Sequence, residues 1–336
     1  MRFPTSPTMT DAIPTRLPAR FTDYLMLLKP RVMSLVVFTA LTGLVCSGVP
    51  MNPVSAAMAV LCIAVGAGAA GALNMAYESD IDALMRRTKS RPVPMGRISR
   101  ADAAGFGGVL ALFSVMLMDL AVNTLAAGLL AFTILFYALV YTVWLKRSTP
   151  QNIVIGGAAG ALPPVVGWAA AAGHTPLNAW LLFALIFVWT PPHFWALSLY
   201  TATDYAKAGV PMMPVVKGPQ STRRQIFAYS LLLGPLGVVP VFTGLGGPLY
   251  ALVSIVGGAA FVALALRMLF SRAGEPDPGA AAPMPGGKRQ GLYTVSGGAK
   301  AARDLFAVSI VYLFALFAAL LLEHGPLATF LPGLRL

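Results

Sequence analysis

Hydrophobic residues along this chain come in long unbroken blocks, not in narrow stripes. Residues 56–73, "AAMAVLCIAVGAGAAGAL", are typical: eighteen positions without a charge. Runs of about 20 such residues recur, each long enough to cross a hydrocarbon layer of about 30 Å. They predict nine helices near residues 32–50, 54–75, 101–119, 122–144, 152–172, 178–200, 225–244, 247–271 and 303–323. The expected class is all-α: a polytopic membrane protein with nine transmembrane helices in one bundle, residues 32–323, and no separate soluble domain. A tail at 1–31, a Gly/Ala/Pro-rich linker at 273–302 and a second tail at 324–336 complete the division. The linker composition fits a flexible connection, and no chemistry is assigned to it.

Composition strengthens that picture. The chain is 57% hydrophobic and 11% charged, where a soluble domain carries about 25% charged residues. Its net charge of +12 raises nucleic acid as a partner, but the distribution excludes it. With the N-terminus cytoplasmic, all Lys and Arg except Arg335 fall on or next to the segments 1–31, 76–100, 145–151, 201–224 and 272–302. That one-sidedness sets orientation in a membrane. Cys46 and Cys62 sit in separate apolar helices without metal-ligand spacing and read as small buried hydrophobes. The first 20 residues have no apolar core of a signal peptide, and their four prolines spoil the amphipathic helix of a transit peptide. A disordered cytoplasmic tail and a bacterial inner membrane, with the active site toward the cytoplasm, are the expectation.

The segment "NMAYESDIDALMRRTKSRP", Asn74 to Pro92, breaks the apolar pattern. If the second helix continues past Leu73, Asn74, Glu78 and Asp82 recur every four positions and face one way. Lipid does not tolerate them, at about 2.5–3.5 kcal/mol for a lone carboxylate at the bilayer centre, so they face the interior. Oxygen donors at that spacing suit Mg²⁺, commonly bound by one or two carboxylates plus substrate phosphates. Asp80 points elsewhere on an ideal helix and joins only if the backbone departs from it. Arg86, Arg87, Lys89 and Arg91 follow and suit the phosphate oxygens that a metal leaves uncovered. Pro92 and Pro94 then make "TKSRPVPMGR" a loop able to fold over a ligand.

Two further segments carry candidate chemistry. Tyr137 and Tyr141 share a face of the fourth helix, with Lys146, Arg147 and Asn152 just beyond it. In "VWTPPHFWALSLYTATDYAKAGVPMMPVVKG", Pro191 and Pro192 are expected to break the sixth helix within its apolar stretch, marking a cavity wall beside His193. Asp204 and Lys207 follow as a second carboxylate and a cation. Asn74-x3-Glu78-x3-Asp82 and Tyr200-x3-Asp204-x2-Lys207 form a weak internal echo, four helices apart.

These residues resemble the first aspartate-rich motif of the UbiA superfamily of intramembrane prenyltransferases. Blocks at 29–44, 80–92, 141–168, 189–218 and 305–317 resemble the branch that farnesylates protoheme IX. The resemblance implies a UbiA-like bundle, with farnesyl diphosphate and protoheme IX (heme b) as substrates, Mg²⁺ as cofactor, and heme O and diphosphate as products. It assigns Asn74, Glu78 and Asp82 to the metal–diphosphate motif, with Glu where the superfamily usually has Asp. Asp204 matches the second motif, which lacks its paired aspartate because position 208 is Ala. Tyr141, Lys146 and Arg147 match the basic, aromatic segment near the diphosphate, and Lys207 a phosphate-binding cation. His193 is a candidate heme contact from its placement. A heme A synthase or a terminal oxidase is a candidate partner alongside membrane lipid; nucleic acid is not. The competing readings are a UbiA-type enzyme acting on a quinone precursor or a chlorin, and an ion-coupled transporter.

Overall fold

The computed structural model describes residues 18–275 and 297–325. The first 17 residues, most of the linker 273–302 and most of the tail 324–336 lie outside them. Two short helices open the chain's described part, α1 (Phe21–Leu27) and α2 (Pro30–Cys46), bent 51° to each other. Then come α3 (Pro53–Tyr77), the short α4 (Ser79–Leu84), α5 (Arg100–Ala121), α6 (Thr124–Ser148) and α7 (Asn152–Ala172). After these follow α8 (Leu177–Tyr200), short α9 (Ala202–Lys207) and α10 (Met213–Val216), α11 (Gly218–Phe242), α12 (Pro248–Leu269) and α13 (Lys300–His324). Among the described residues eight helices are long and apolar enough to cross a membrane, and a ninth span is added if the bent α1–α2 pair counts as one.

Local chemistry explains where these helices start. Proline occupies the first turn of α2, α3, α11 and α12, where a missing N–H costs nothing. Asn52, Ser99 and Asn123 cap α3, α5 and α6 by accepting backbone N–H bonds of 2.8–2.9 Å. At the end of α13, the buried Glu323 carboxylate accepts from the Gly247 and Tyr250 amides at 2.7 and 2.9 Å. It thereby caps α12 from a neighbouring helix.

Short connections make the successive pairs α2–α3, α5–α6, α6–α7, α7–α8 and α11–α12 antiparallel. α3 packs on α5, α8 on α7, α11 and α13, and α13 returns to α2, closing the bundle. The most apolar stretches of α7 and α8 are each 78% buried and form the interior, those of α3 and α13 are 50% and 44% buried, and the remaining spans expose most of their surface. Helix association inside a bilayer depends on close packing of small residues. The α2–α7 crossing shows it: a Cβ on Gly43 would lie 2.0 Å from the Pro164 carbonyl oxygen, and one on Gly167 2.0 Å from that of Ala40.

One expectation about helix continuity is reversed. Pro191 and Pro192 do not break α8, which runs unbroken from Leu177 to Tyr200. Both prolines are buried among packed neighbours, and the Thr190 hydroxyl donates to the Ile186 carbonyl at 2.7 Å, so packing holds helical geometry that two missing N–H groups would loosen. The interruption lies in α7 instead, at Leu162 before Pro163 and Pro164.

Replacing Gly167 by Leu is expected to destabilise the protein by about 1–3 kcal/mol, since backbone of α2 would have to move. Gly128→Ala, which meets no atom within 4 Å, is expected to leave the unfolding midpoint unchanged or raise it. Thermal unfolding in detergent measures both.

Candidate active site

Helix α3 ends at Tyr77 and α4 begins at Ser79, with Glu78 between them at φ −90°, ψ 9°. The four-residue register survives this interruption. The Glu78 amide donates to the Asn74 carbonyl at 3.0 Å, and the Asp82 amide to the Glu78 carbonyl at 2.8 Å. Asn74, Glu78 and Asp82 therefore share one inward face and are only 2%, 1% and 2% exposed. Asp80 lies on the other side with its side chain 48% exposed.

Each inward carboxylate is held by a cation from a different segment. Lys146, at the end of α6, donates to Glu78 Oε2 at 2.5 Å, and Arg91 Nη1 donates to Asp82 Oδ2 at 2.6 Å. Arg86 Nε lies 3.3 Å from both oxygens of Asp204 on α9, a side chain 6% exposed. That contact joins the two acidic segments. Arg147 takes Asp80 with both guanidinium amines, at 2.9 and 3.0 Å, and stacks over Tyr77. These hydrogen bonds from Arg147 hold the Asp80 carboxyl below its ordinary range. Arg87, Lys89 and Lys207 are exposed and make no ion pair among the described residues. The segment after Arg86 is a chain of turns, not an open loop: Thr88 Oγ1 donates to the Asp82 carbonyl at 2.9 Å. Val93 and Ile98 anchor it in an apolar cluster with Leu27 and Met75.

The third wall comes from a rare backbone form. Residues Phe136–Leu145 of α6 are π-helical, a conformation seen mostly as short bulges at functional sites. Its wider turn lets Thr142 Oγ1 donate to the carbonyl five residues back, Tyr137, at 2.8 Å. The same hydroxyl oxygen accepts from Asn74 Nδ2 at 2.9 Å. Tyr137 and Tyr141 do share a face, their ring centroids 5.2 Å apart. Lys146 Nζ lies 5.9 Å from the Tyr141 ring centre. A Cβ on Gly156 would come within 2.2 Å of the Tyr141 ring, so glycine there is what lets the ring lie flat on α7. Finally, Lys29, in the turn between α1 and α2, donates to Asn74 Oδ1 at 2.6 Å.

His193 sits away from the carboxylates, between α8 and α13. Its ring stacks on Trp189 and Phe306, with centroids 4.2 and 4.6 Å away. Its Nδ1 is 2.6 Å from Ser309 Oγ, which itself donates to the Phe306 carbonyl at 2.6 Å. A hydroxyl has one proton, so Nδ1–H is the donor to Ser309 and Nε2 keeps its lone pair. Trp189 Nε1 donates to the Ser309 carbonyl at 2.8 Å, so one turn of α8 grips one residue of α13.

The structure thus gathers Asn74, Glu78, Asp82, Asp204, Tyr141, Arg86, Arg91 and Lys146 at one end of the bundle. Asp80 and Arg147 form a pair at its rim. Sequence reasoning missed Lys29, Thr142 and Ser309. Lys29 stands before a proline at the start of an apolar run and reads as an interface anchor. Thr142 and Ser309 are single hydroxyls in apolar helices, where the usual partner is the helix's own backbone. Among the described residues no cluster of three or more His, Cys, Asp or Glu side chains is poised around a common metal position. The donor set on the α3–α4 face is nonetheless all oxygen, and Glu78 Oε1 is buried without a hydrogen-bond partner.

Residues 36–284 match the model of the UbiA prenyltransferase family. A protein of Caulobacter vibrioides named protoheme IX farnesyltransferase is 64% identical over 311 residues, 91% of each chain. One of the same name in Maricaulis maris is 59% identical over 304 residues, 90% of this chain and 89% of that one. Among solved structures, a UbiA homolog from Archaeoglobus fulgidus bound to GPP and Mg²⁺ aligns with TM-score 0.59 at 18% identity. It covers 89% of this chain and 99% of that one. A digeranylgeranylglyceryl phosphate synthase aligns with TM-score 0.69 at 16% identity, covering 89% of this chain and 98% of that one. The shared fold is therefore that of an integral membrane prenyltransferase.

Lys146→Met leaves Glu78 as a buried, unpaired carboxylate and is expected to cost about 3–5 kcal/mol. Adding Glu78→Gln to it should recover most of that loss, because the uncompensated charge is gone. A double-mutant cycle on detergent unfolding midpoints reads the coupling.

Proposed function

Because this chain belongs to the UbiA prenyltransferase family, we propose that it transfers the farnesyl group of farnesyl diphosphate to a vinyl group of protoheme IX. The products are heme O and diphosphate. The reading is carried by one observation: buried carboxylates and their cationic partners crowd one end of a bundle that is otherwise apolar. A charged diphosphate fits among the cations there while its isoprenoid chain enters the bundle. The close relatives' name supplies the acceptor.

Asn74, Glu78 and Asp82 fit Mg²⁺ through oxygen donors that include the unpartnered Glu78 Oε1, and the bound ion supplies Lewis-acid neutralisation of the leaving diphosphate. Arg86, Arg91 and Lys146, which now cover carboxylates, turn toward phosphate oxygens, joined by Arg87, Lys89, Arg147 and Lys207. Asp204 keeps Arg86 aimed at the site. Asp80 stays with Arg147 at the rim. Positive groups fixed where negative charge develops stabilise the transition state without reorganising. The bond from farnesyl C1 to the diphosphate oxygen breaks, its electron pair leaving with the diphosphate. The Tyr141 ring face stabilises the allylic cation. The vinyl group forms the new carbon–carbon bond; water adds to the resulting cation and loses a proton.

His193 is the proposed heme contact. Its Nδ1–H on Ser309 directs the Nε2 lone pair outward, and a second hydrogen bond of that kind fixes the ring of an iron-ligating histidine. The site is placed at the cytoplasmic face of a bacterial inner membrane, with the N-terminus on that side, because the cations follow it. Heme O leaves into lipid or passes to another membrane protein, a heme A synthase or a terminal oxidase.

Membranes containing the protein, given farnesyl diphosphate and Mg²⁺, are expected to prenylate heme and not 4-hydroxybenzoate. Product on 4-hydroxybenzoate alone would move the enzyme to another branch; no diphosphate release with either acceptor would end the enzyme reading. Asp82→Asn is expected to reduce Mg²⁺-dependent diphosphate release at least a hundredfold. His193→Ala is expected to weaken heme binding tenfold or more, followed by the heme absorption band; unchanged heme affinity and turnover would dismiss the assignment.

A further inference from the structure

We propose that Lys29 is a further residue of the diphosphate site, a cation delivered from the N-terminal side of the bundle. The inference rests on the prenyl-transfer reading above and adds a residue that neither the sequence motif nor the acidic pairs point to.

Charge matching singles it out. Arg91 has Asp82, Lys146 has Glu78, Arg86 has Asp204 and Arg147 has Asp80. Lys29 stands among Arg91, Lys146, Glu78 and Asp82, yet its one side-chain hydrogen bond among the described residues goes to a neutral amide, Asn74 Oδ1. It is the amine of this half-buried cluster that has no carboxylate of its own among the described residues. A desolvated ammonium without its own counter-ion is unfavourable by itself and becomes favourable when a polyanion enters.

The backbone holds it there at a cost. Lys29 has φ 52°, ψ 57°, and it is the one non-glycine residue with positive φ among those described. Strained backbone of this kind persists where surrounding structure enforces it and gathers at functional sites. The enforcement is visible. The Leu27–Lys29 turn lies in a groove on α3 made by two glycines: a Cβ on Gly68 would meet Leu28 at 3.1 Å, and one on Gly71 the Leu27 carbonyl at 3.3 Å and the Lys29 stem at 3.5 Å. The buried Asp23 carboxylate accepts from the Arg20 amide at 3.0 Å and from Arg97 Nη1 at 2.9 Å. Helix α1 is thus latched to the same turn-rich segment that carries Arg91.

The target atom is equally fixed. Asn74 Nδ2 is committed to Thr142 Oγ1, so Oδ1 must point at Lys29. In the structure the ammonium covers the carbonyl oxygen assigned above to the metal. On loading it moves to a phosphate oxygen, a short displacement for a four-carbon stem.

Lys29→Gln keeps a donor for Asn74 and removes the charge. Calorimetric titration of the full-length protein in detergent with inorganic pyrophosphate and Mg²⁺ is expected to show binding at least tenfold weaker than wild type, with KM for farnesyl diphosphate raised in parallel. Lys29→Arg should recover most of the affinity, which a packing role for the stem alone would not require. Pyrophosphate affinity equal to wild type in a folded Lys29→Gln protein overturns the proposal and leaves prenyl transfer standing. A wild type that neither binds pyrophosphate nor releases it from farnesyl diphosphate overturns both. Should Lys29→Gln not fold, amine labelling of Lys29 in the wild type, read by mass spectrometry, replaces it: protection by Mg²⁺ and pyrophosphate is expected, and equal labelling refutes the assignment.

Discussion

A carboxylate placed at the end of an apolar helix has to be neutralised, and much of this structure answers that requirement. Glu78 and Asp82 lie almost out of reach of solvent. Their neutralisation draws in the end of α6 through Lys146 and the turn-rich segment after α4 through Arg91. Asp204 draws in Arg86 across the two halves of the chain. Helices that pack through glycine and alanine would hold together without these pairs. The pairs decide how their ends are arranged, and hence what kind of ligand that end accepts. Losing a cation alone would leave its buried carboxylate uncompensated, at about 3–5 kcal/mol. The cations are therefore released toward a polyanion only when an incoming metal takes over their carboxylates.

The sequence made the spans and the acidic face legible because both follow from periodicity. Residues 152–172 and 178–200 match α7 and α8 within a residue, and Asn74, Glu78 and Asp82 keep their common face even though the helix is interrupted at Glu78. What escaped depends on tertiary contacts. Two prolines in α8 signal a break in isolation, but their packed surroundings sustain the helix, whereas Pro163–Pro164 in α7, where no break was expected, do mark an interruption. The π-helical stretch of α6 has no periodic signature in so uniformly apolar a segment. Lys29 was invisible for another reason: its significance lies in a positive φ and a partner 45 residues away.

Two of the polar contacts share a design. Thr142 and Ser309 each use one hydroxyl twice, accepting from a functional side chain while donating to a backbone carbonyl of their own helix. That leaves no freedom for the donating side chain: Asn74 has its amide orientation fixed, and His193 its tautomer. In a low-dielectric interior such chained bonds are stronger than in water and costly to leave incomplete. One small residue thus sets the chemistry presented by a larger one.

The glycine crossing of α2 and α7 has a mechanical meaning. Backbone touches backbone at Gly43 and Gly167, so that point acts as a fulcrum for α2. The turn bearing Lys29 lies at the far end of the lever, about 20 Å away at 1.5 Å per residue. A tilt of about 6° there would carry the ammonium by roughly 2 Å at that arm length, more than a hydrogen bond tolerates. The accuracy of the charged end is therefore set deep in the apolar bundle, at a contact with no polar side chain in it.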